Sequence, residues 1–367
     1  MSDLIATLRT IVGSRHVLTG ARATARYRQG YRTGSGAALA VVRPGSLVEQ
    51  WRVARACVAA DVSIVMQAAN TGLTGGSTPD GEDYPGGCVI ISTVRLAHLH
   101  LIRDGRQAIC LPGTTLHALE KALKPIGREP HSVIGSSCFG ASVVGGICNN
   151  SGGSLVQRGP AFTQLSLHAV VEPGGSLRLV NHLGVALGDD PEEMLRRLDS
   201  GAFSEADVQN CADLWAHDHG YAAHVREINS ATPARFNADA RRLFEAAGSA
   251  GKLIVFAVRV DSFPREEGAA TFYLGTNDPA RLTALRRAIL RDASTLPIAG
   301  EYMHRDAFDI ADRYGKDMFV AIERLGTDRL PALFAVKAWI DGLPFLQAGF
   351  SDRMMQRIGR LLPDHLP

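Results

Sequence analysis

Long apolar runs are missing from this sequence of 367 residues. None approaches the roughly 20 residues of a membrane-spanning helix, so any membrane contact is expected to be peripheral. The opening residues, MSDLIATLRTIVGSRH, hold no apolar core of signal-peptide length. Net charge is nearly absent as well: Lys and Arg number 39 against 37 Asp and Glu, which leaves no field to draw nucleic acid. Neither the Rossmann fingerprint nor the Walker loop occurs. The cysteines (Cys57, Cys88, Cys110, Cys138, Cys148, Cys211) form no CxxC pair and no zinc spacing. They are expected to be reduced and mostly buried, as in a cytoplasmic protein. His217-Asp218-His219 offers alternate histidines but no visible third ligand, so surface residues are expected there and no metal.

Against these absences stand two loops rich in small residues. The stretch Ile134 to Pro160, IGSSCFGASVVGGICNNSGGSLVQRGP, joins glycine and serine to two adjacent asparagines with almost no charge. Backbone of this kind can approach a ligand closely and turn successive N–H groups inward. A surface loop would carry Lys and Glu, whereas Ala141 to Val144 and Ile147-Cys148 read as buried. Upstream, the apolar run Val62 to Met66 empties into Gln67-Ala68-Ala69-Asn70-Thr71-Gly72-Leu73-Thr74-Gly75-Gly76-Ser77. A strand that ends in such a loop is a means of gathering amides around a diphosphate. Together the loops fit an extended, polar, partly anionic cofactor.

Periodicity places these loops in a mixed α/β context. A helix is expected over Leu4–Val12 and a strand over Ala37–Val42. A second helix starts at Pro44-Gly45-Ser46, with Leu47, Trp51, Ala54 and Val58 on one face, and leads to a strand over Ser63–Met66. Cys88–Ser92 reads as a strand. Leu99–Ile102 with Gln107–Leu111, and Ser166–Val171 with Leu177–Val180, read as hairpins. Thr115–Leu123 is expected to be helical. From Gly188 to about Tyr221 polar residues dominate, as in an excursion. Lys252–Val260, KLIVFAVRV, reads as a buried strand, and Ser262 to Gly268 as the crossing into a second domain. That domain is expected to open with a strand at Thr271–Leu274 and a helix started by Asn277-Asp278-Pro279. Residues 331–340 could form a helix on a membrane surface or a core helix.

The strings AANTGLTGGS and IGSSCFGASVVGGICNNSGG together resemble the FAD-binding domain of the vanillyl-alcohol oxidase type flavoenzymes. Within that group, LPGTTLHALEKALKPIGREPHSVIG, TPARFNAD and EYMHRDAFDIADRYGKD make the chain similar to the quinone-dependent, membrane-associated D-lactate dehydrogenases of bacteria. The resemblance runs from about Ile11 to Pro367. It implies an α+β fold: a two-subdomain FAD-binding domain over residues 1–262, then the beginning of an α+β cap and membrane-associating region over 263–367. Family members are longer, so a C-terminal part beyond Pro367 is expected in an intact relative.

The same resemblance implies FAD oxidation of D-lactate to pyruvate, with electrons passed to a membrane quinone at the cytoplasmic face of the inner membrane. Alternatives are a truncated flavin-binding relative without turnover and a dehydrogenase of another D-2-hydroxy acid. It implies FAD contacts at Ala68, Ala69, Asn70, Thr71, Gly72, Gly76 and Ser77, at Gly135, Ser142 and Gly152, and at Val255. Related oxidases often carry Arg-Gly-Gly where this chain has Gln67-Ala68-Ala69, so no fixed charge is expected in that loop. Oxidising a 2-hydroxy acid also needs a cation for the carboxylate and a base for the hydroxyl proton. Arg305 and His304, in Glu301-Tyr302-Met303-His304-Arg305-Asp306, are the candidates, with Arg158 a second cation. Gly72→Val and Gly152→Val are both expected to block flavin binding and leave the chain folded.

Overall fold

The computed structural model describes residues 2–31, 33–131, 140–152, 154–234 and 239–311, with single positions at 340, 354 and 357. Ser46 opens the helix on which much of this structure rests. Its hydroxyl accepts the N–H of Glu49 at 3.1 Å, satisfying a donor that a helix start leaves open, a cap worth about 1 kcal/mol. The helix runs Leu47–Ala59 as its apolar spacing predicts. It serves two cores: Leu47, Trp51 and Ala54 enter one apolar cluster, Val53 and Cys57 another.

Each core belongs to one sheet. The first sheet holds β1 (Val17–Leu18), β2 (Ala40–Val42), β3 (Ser63–Gln67) and β4 (Cys88–Ser92), ordered β1-β2-β4-β3. The strands β2 and β3 joined by the helix are not neighbours, because β4 lies between them, parallel to both. Helix Ser2–Val12 covers this sheet with Leu4, Leu8 and Val12. In the second sheet β5 (Leu99–Ile102) pairs antiparallel with β6 (Gln107–Cys110). After a short β7 (Arg128–Glu129), β8 (Ser166–Val171) and β9 (Leu177–Asn181) form the other hairpin. The strand β10 (Ile254–Asp261) inserts between β6 and β8, antiparallel to both. All but the last of its residues are buried, including Arg259, whose guanidinium donates to Gln107 Oε1 and to the Gly184 carbonyl. Finally β11 (Phe263–Pro264) pairs back with β7. Helices Leu116–Leu123 and Val143–Cys148 belong to a third cluster with Val255, Val258 and Val260 of β10.

Two expectations are corrected. The polar excursion contains a helix, Pro191–Ser200, capped by Asp190 and ended by Gly201 in the left-handed conformation. Its Met194, Leu195 and Leu198 are buried in the first cluster; a narrow apolar stripe in a charged segment obscures the helical period. The strand expected at Thr271–Leu274 is not formed. Phe272 and Tyr273 are 81% and 93% exposed, and no described strand pairs with them, so the local β propensity has no partner to act on. Helix Pro279–Asp292 follows, N-capped by Asp278 as expected.

The contacts divide the chain into two compact units, the first extending to Ala299 and the second holding the residues from Gly300 onward together with Gly140. In the second, helix begins at Arg305. The expected helix over 331–340 lies outside the described residues, save Ile340.

Candidate functional site

The first loop leaves β3 at Gln67, and Gln67 is its strut. The buried amide donates to Tyr27 O at 2.9 Å and to Ser77 O at 2.7 Å, closing the loop across its base. Where related oxidases place an arginine, this side chain is therefore consumed in holding the loop's shape. Asn70 is left-handed, with φ 54°, a conformation that Asn tolerates better than most residues. Its Nδ2 donates to Gln29 O, while its Oδ1 accepts from the Ser77 and Thr78 hydroxyls. The polar side chains of Asn70 and Ser77 thus face one another. With these side chains engaged, backbone at Gly72 and Gly76 is left uncovered. A Cβ added to Gly72 or Gly76 would meet nothing within 4 Å.

The second glycine-rich stretch is not loop throughout. Ser142 caps the short helix Val143–Cys148 by accepting the Gly145 N–H at 3.0 Å. Val143, Val144 and Ile147 are buried beneath it. Ser142 is therefore a positioning group in this structure, with its hydroxyl already engaged. Gly152 is required by packing: a Cβ there would lie 2.7 Å from Pro160 Cα. The expectation that Gly152→Val leaves a folded chain is corrected accordingly, since the substituent would collide with backbone. Gly135 lies outside the described residues. Val255 sits in β10, its carbonyl taken by the buried Gln50 amide at 3.0 Å.

A third segment, 245–251 (EAAGSAG), was not singled out from the sequence. Four of its residues, Glu245, Gly248, Ala250 and Gly251, have positive φ. Gly248 N–H donates to Ile147 O and Ala250 N–H to Cys148 O, tying it to the second stretch. A Cβ on Gly251 would lie 3.9 Å from Gly76 O, so it also reaches the first loop. Its Gly-Ser-Ala-Gly composition was the available signal, masked by the strong strand that follows. Glu245 anchors it, with one carboxylate oxygen 2.5 Å from His182 Nδ1 and the other 3.3 Å from the Ser166 hydroxyl. Beside it His168 is buried, and its pKa is lowered mainly by that burial.

Three segments of bare backbone therefore converge. Beside Gly248 of the third segment, the Asn150 Oδ1 is buried without a hydrogen-bond partner, an expensive arrangement that a polar ligand would relieve. Open backbone faces at Gly72 and Gly76 with an unsatisfied buried amide oxygen fit a long ligand carrying a diphosphate and heterocycles. The thiols near the core are inert: burial pushes Cys57 and Cys110 up to about 12 and Cys88 to about 11.

Residues 38–181 match a family model described as FAD binding domain, and residues 271–367 one described as D-lactate dehydrogenase, membrane binding. The quinone-dependent D-lactate dehydrogenase of Escherichia coli is 58% identical over 98% of this chain and 64% of that protein. Proteins of the same description from Haemophilus influenzae and Corynebacterium glutamicum are 53% and 48% identical, each over 100% of this chain and 66% and 64% of their own length. The chain belongs to the quinone-dependent D-lactate dehydrogenase family. It spans about two thirds of the length of these relatives. FAD is the cofactor that the matched domain takes.

The substrate candidates lie apart from this cradle in the chain, in the second unit. His304 and Arg305 are exposed. Arg305 Nε donates to Asp309 at 2.8 Å, and His304 Nδ1 accepts the Asp306 N–H at 3.2 Å. Arg158, the other cation considered, is half-buried and committed. It pairs with Glu129 at 2.6 Å and lies 4.2 Å over the Phe263 ring. The two histidines of the 217–219 string gain in the fold the third partner that the sequence does not show, Asp261.

Proposed function

We propose that the protein oxidises D-lactate to pyruvate with FAD and passes the electrons to a membrane quinone. One observation carries the reading: identity to a quinone-dependent D-lactate dehydrogenase is 58% through 98% of this chain. When bound, FAD supplies the acceptor for a hydride equivalent. The chain's residues supply placement. Backbone at Ala68, Ala69, Thr71, Gly72 and Gly76 holds the diphosphate, within a loop shaped by Gln67, Asn70 and Ser77. Gly135, Ser142, Gly152 and Val255 belong to the same cofactor site, the middle two by shaping its wall. Arg305 holds the substrate carboxylate by a planar fork, and His304 takes the hydroxyl proton.

Residues 1–262 are assigned to the flavin domain and 263–367 to the cap and membrane-associating part. Among the described residues no helix is long and apolar enough to cross a membrane. Peripheral attachment follows from the membrane-binding match beginning at residue 271, with exposed Phe272, Tyr273 and Leu274 available to enter a headgroup layer. The cytoplasmic face of the inner membrane is the proposed side.

The released chromophore, identified after denaturation, should be FAD; FMN would refute the cofactor assignment. Anaerobic D-lactate should bleach the bound flavin, and a soluble quinone should restore its absorbance. Bleaching by another D-2-hydroxy acid but not by D-lactate would move the substrate assignment. Arg305→Lys is expected to raise the KM for D-lactate roughly 10- to 100-fold, because a charged hydrogen bond worth about 1.5–3 kcal/mol is lost with the fork. Unchanged flavin reduction kinetics in this variant would remove Arg305 from the site.

A further inference from the structure

We infer that His217, His219 and Asp261 form a binding site for one divalent transition-metal ion of the zinc class, separate from the flavin cradle. One ligand atom from each of the three lies within 4.8 Å of the others. They come from two places in the chain: the irregular segment around Trp215 to Gly220, and the last residue of β10. Two imidazoles and a carboxylate are a donor set that suits zinc, which accepts nitrogen and oxygen ligands in tetrahedral geometry.

Each ligand is held by a neighbour that leaves donor capacity free. The His219 ring stacks on Trp215, with centroids 5.3 Å apart and planes 11° apart. The His217 ring meets the edge of Phe263 at 5.3 Å, interplanar angle 79°. One oxygen of Asp261 accepts from the Gln107 amide at 2.8 Å, and the other is hydrogen-bonded to His217 Nδ1. Orientation of a ligating carboxylate by an amide is the kind of support that metal sites use. The intervening Asp218 is turned away and paired with Arg242 at 2.6 Å, so it does not compete. His219 is exposed, which provides entry and leaves a coordination position for water.

Binding replaces the proton shared by His217 and Asp261. Ligand atoms around a tetrahedral zinc stand ~3.3 Å apart, for bonds of ~2.0–2.1 Å. The hydrogen-bonded pair must therefore open and the His219 ring close, both by side-chain rotation. The consequence is a staple between the Trp215–Gly220 segment and the end of β10.

The test is zinc titration of the purified, chelator-stripped protein against a chromogenic chelator, with cobalt absorbance as a second reading. One equivalent of Zn²⁺ should bind. His219→Ala and Asp261→Asn should each weaken binding at least 10-fold, while flavin content stays unchanged. His219 is exposed, so its variant should keep the fold; if Asp261→Asn does not fold, His219→Ala decides alone. Saturating Zn²⁺ should raise the melting temperature of the unsubstituted protein and not that of His219→Ala. Equal Zn²⁺ affinity in the two proteins, or no stoichiometric binding in either, would overturn the site.

Discussion

Gly72→Val is expected to abolish flavin binding in a protein that still folds. Gly72 lies at the tip of the loop leaving β3, and a Cβ there meets nothing within 4 Å. Its φ is not in the left-handed region, so a side chain is tolerated without backbone strain. Melting temperature and far-UV circular dichroism should therefore stay near those of the unsubstituted protein, as for substitutions that neither clash nor strain the backbone. The isopropyl group would occupy the space through which a diphosphate approaches the loop amides. Loss of two charged hydrogen bonds at about 1.5–3 kcal/mol each corresponds to roughly 10²- to 10⁴-fold weaker binding. The purified variant should be colourless and should not recover on adding micromolar FAD. Full flavin content would place the diphosphate elsewhere. Gly152→Val should behave differently, losing flavin and stability together, because its Cβ would sit 2.7 Å from Pro160 Cα.

The largest stability effect is expected at Arg242. Its guanidinium is 8% exposed and bonds Asp218 and Asp239, which are 6% and 10% exposed, at 2.6 Å each. Arg242→Ala leaves two buried carboxylates without this partner, and breaking such a pair costs about 3–5 kcal/mol. A fall in melting temperature of roughly 10 °C follows for a unit of this size. A change of only a few tenths of a kcal/mol in urea unfolding would show that water reaches these groups freely. The cluster also sets a pH dependence. Hydrogen bonding from Arg241, reinforced by the charge of Arg242, holds the Asp239 carboxyl far below the usual carboxylate range. A depressed carboxylate stabilises the fold fully above its unfolded value of about 3.9, and this stabilisation is lost as pH falls through lower values. The unsubstituted protein should thus lose stability below about pH 4, and Asp239→Asn should flatten that part of the profile.

Local chemistry alone determined much of this protein. The Ser46 cap and the Leu47–Trp51–Ala54 spacing specify helix Leu47–Ala59. The apolar run at 254–258 specifies a buried strand, and Gly-Thr-Asn composition after β3 specifies an irregular loop. The uncommon strings of the two glycine-rich stretches carried family and cofactor. These features depend on neighbours within a turn or two, where propensity and periodicity act.

Tertiary structure decided what depends on contacts between distant residues. Helix Pro191–Ser200 shows its purpose only where Leu195 and Leu198 meet the core around Trp51 and Phe256. Thr271–Leu274 has β-forming residues but no described partner strand. Ser142 and Asn70, legible as cofactor residues, spend their side chains on the Gly145 N–H and on Ser77 and Thr78. Segment 245–251 joins the cradle through Gly248, Ala250 and Gly251, and Asp261 joins His217 and His219 across the gap from β10. A pattern read along one segment carries no record of which remote segment will pack beside it. Closing those distances depends on the summed burial of many side chains, and so the cradle's third wall and the histidines' third partner are properties of the folded chain.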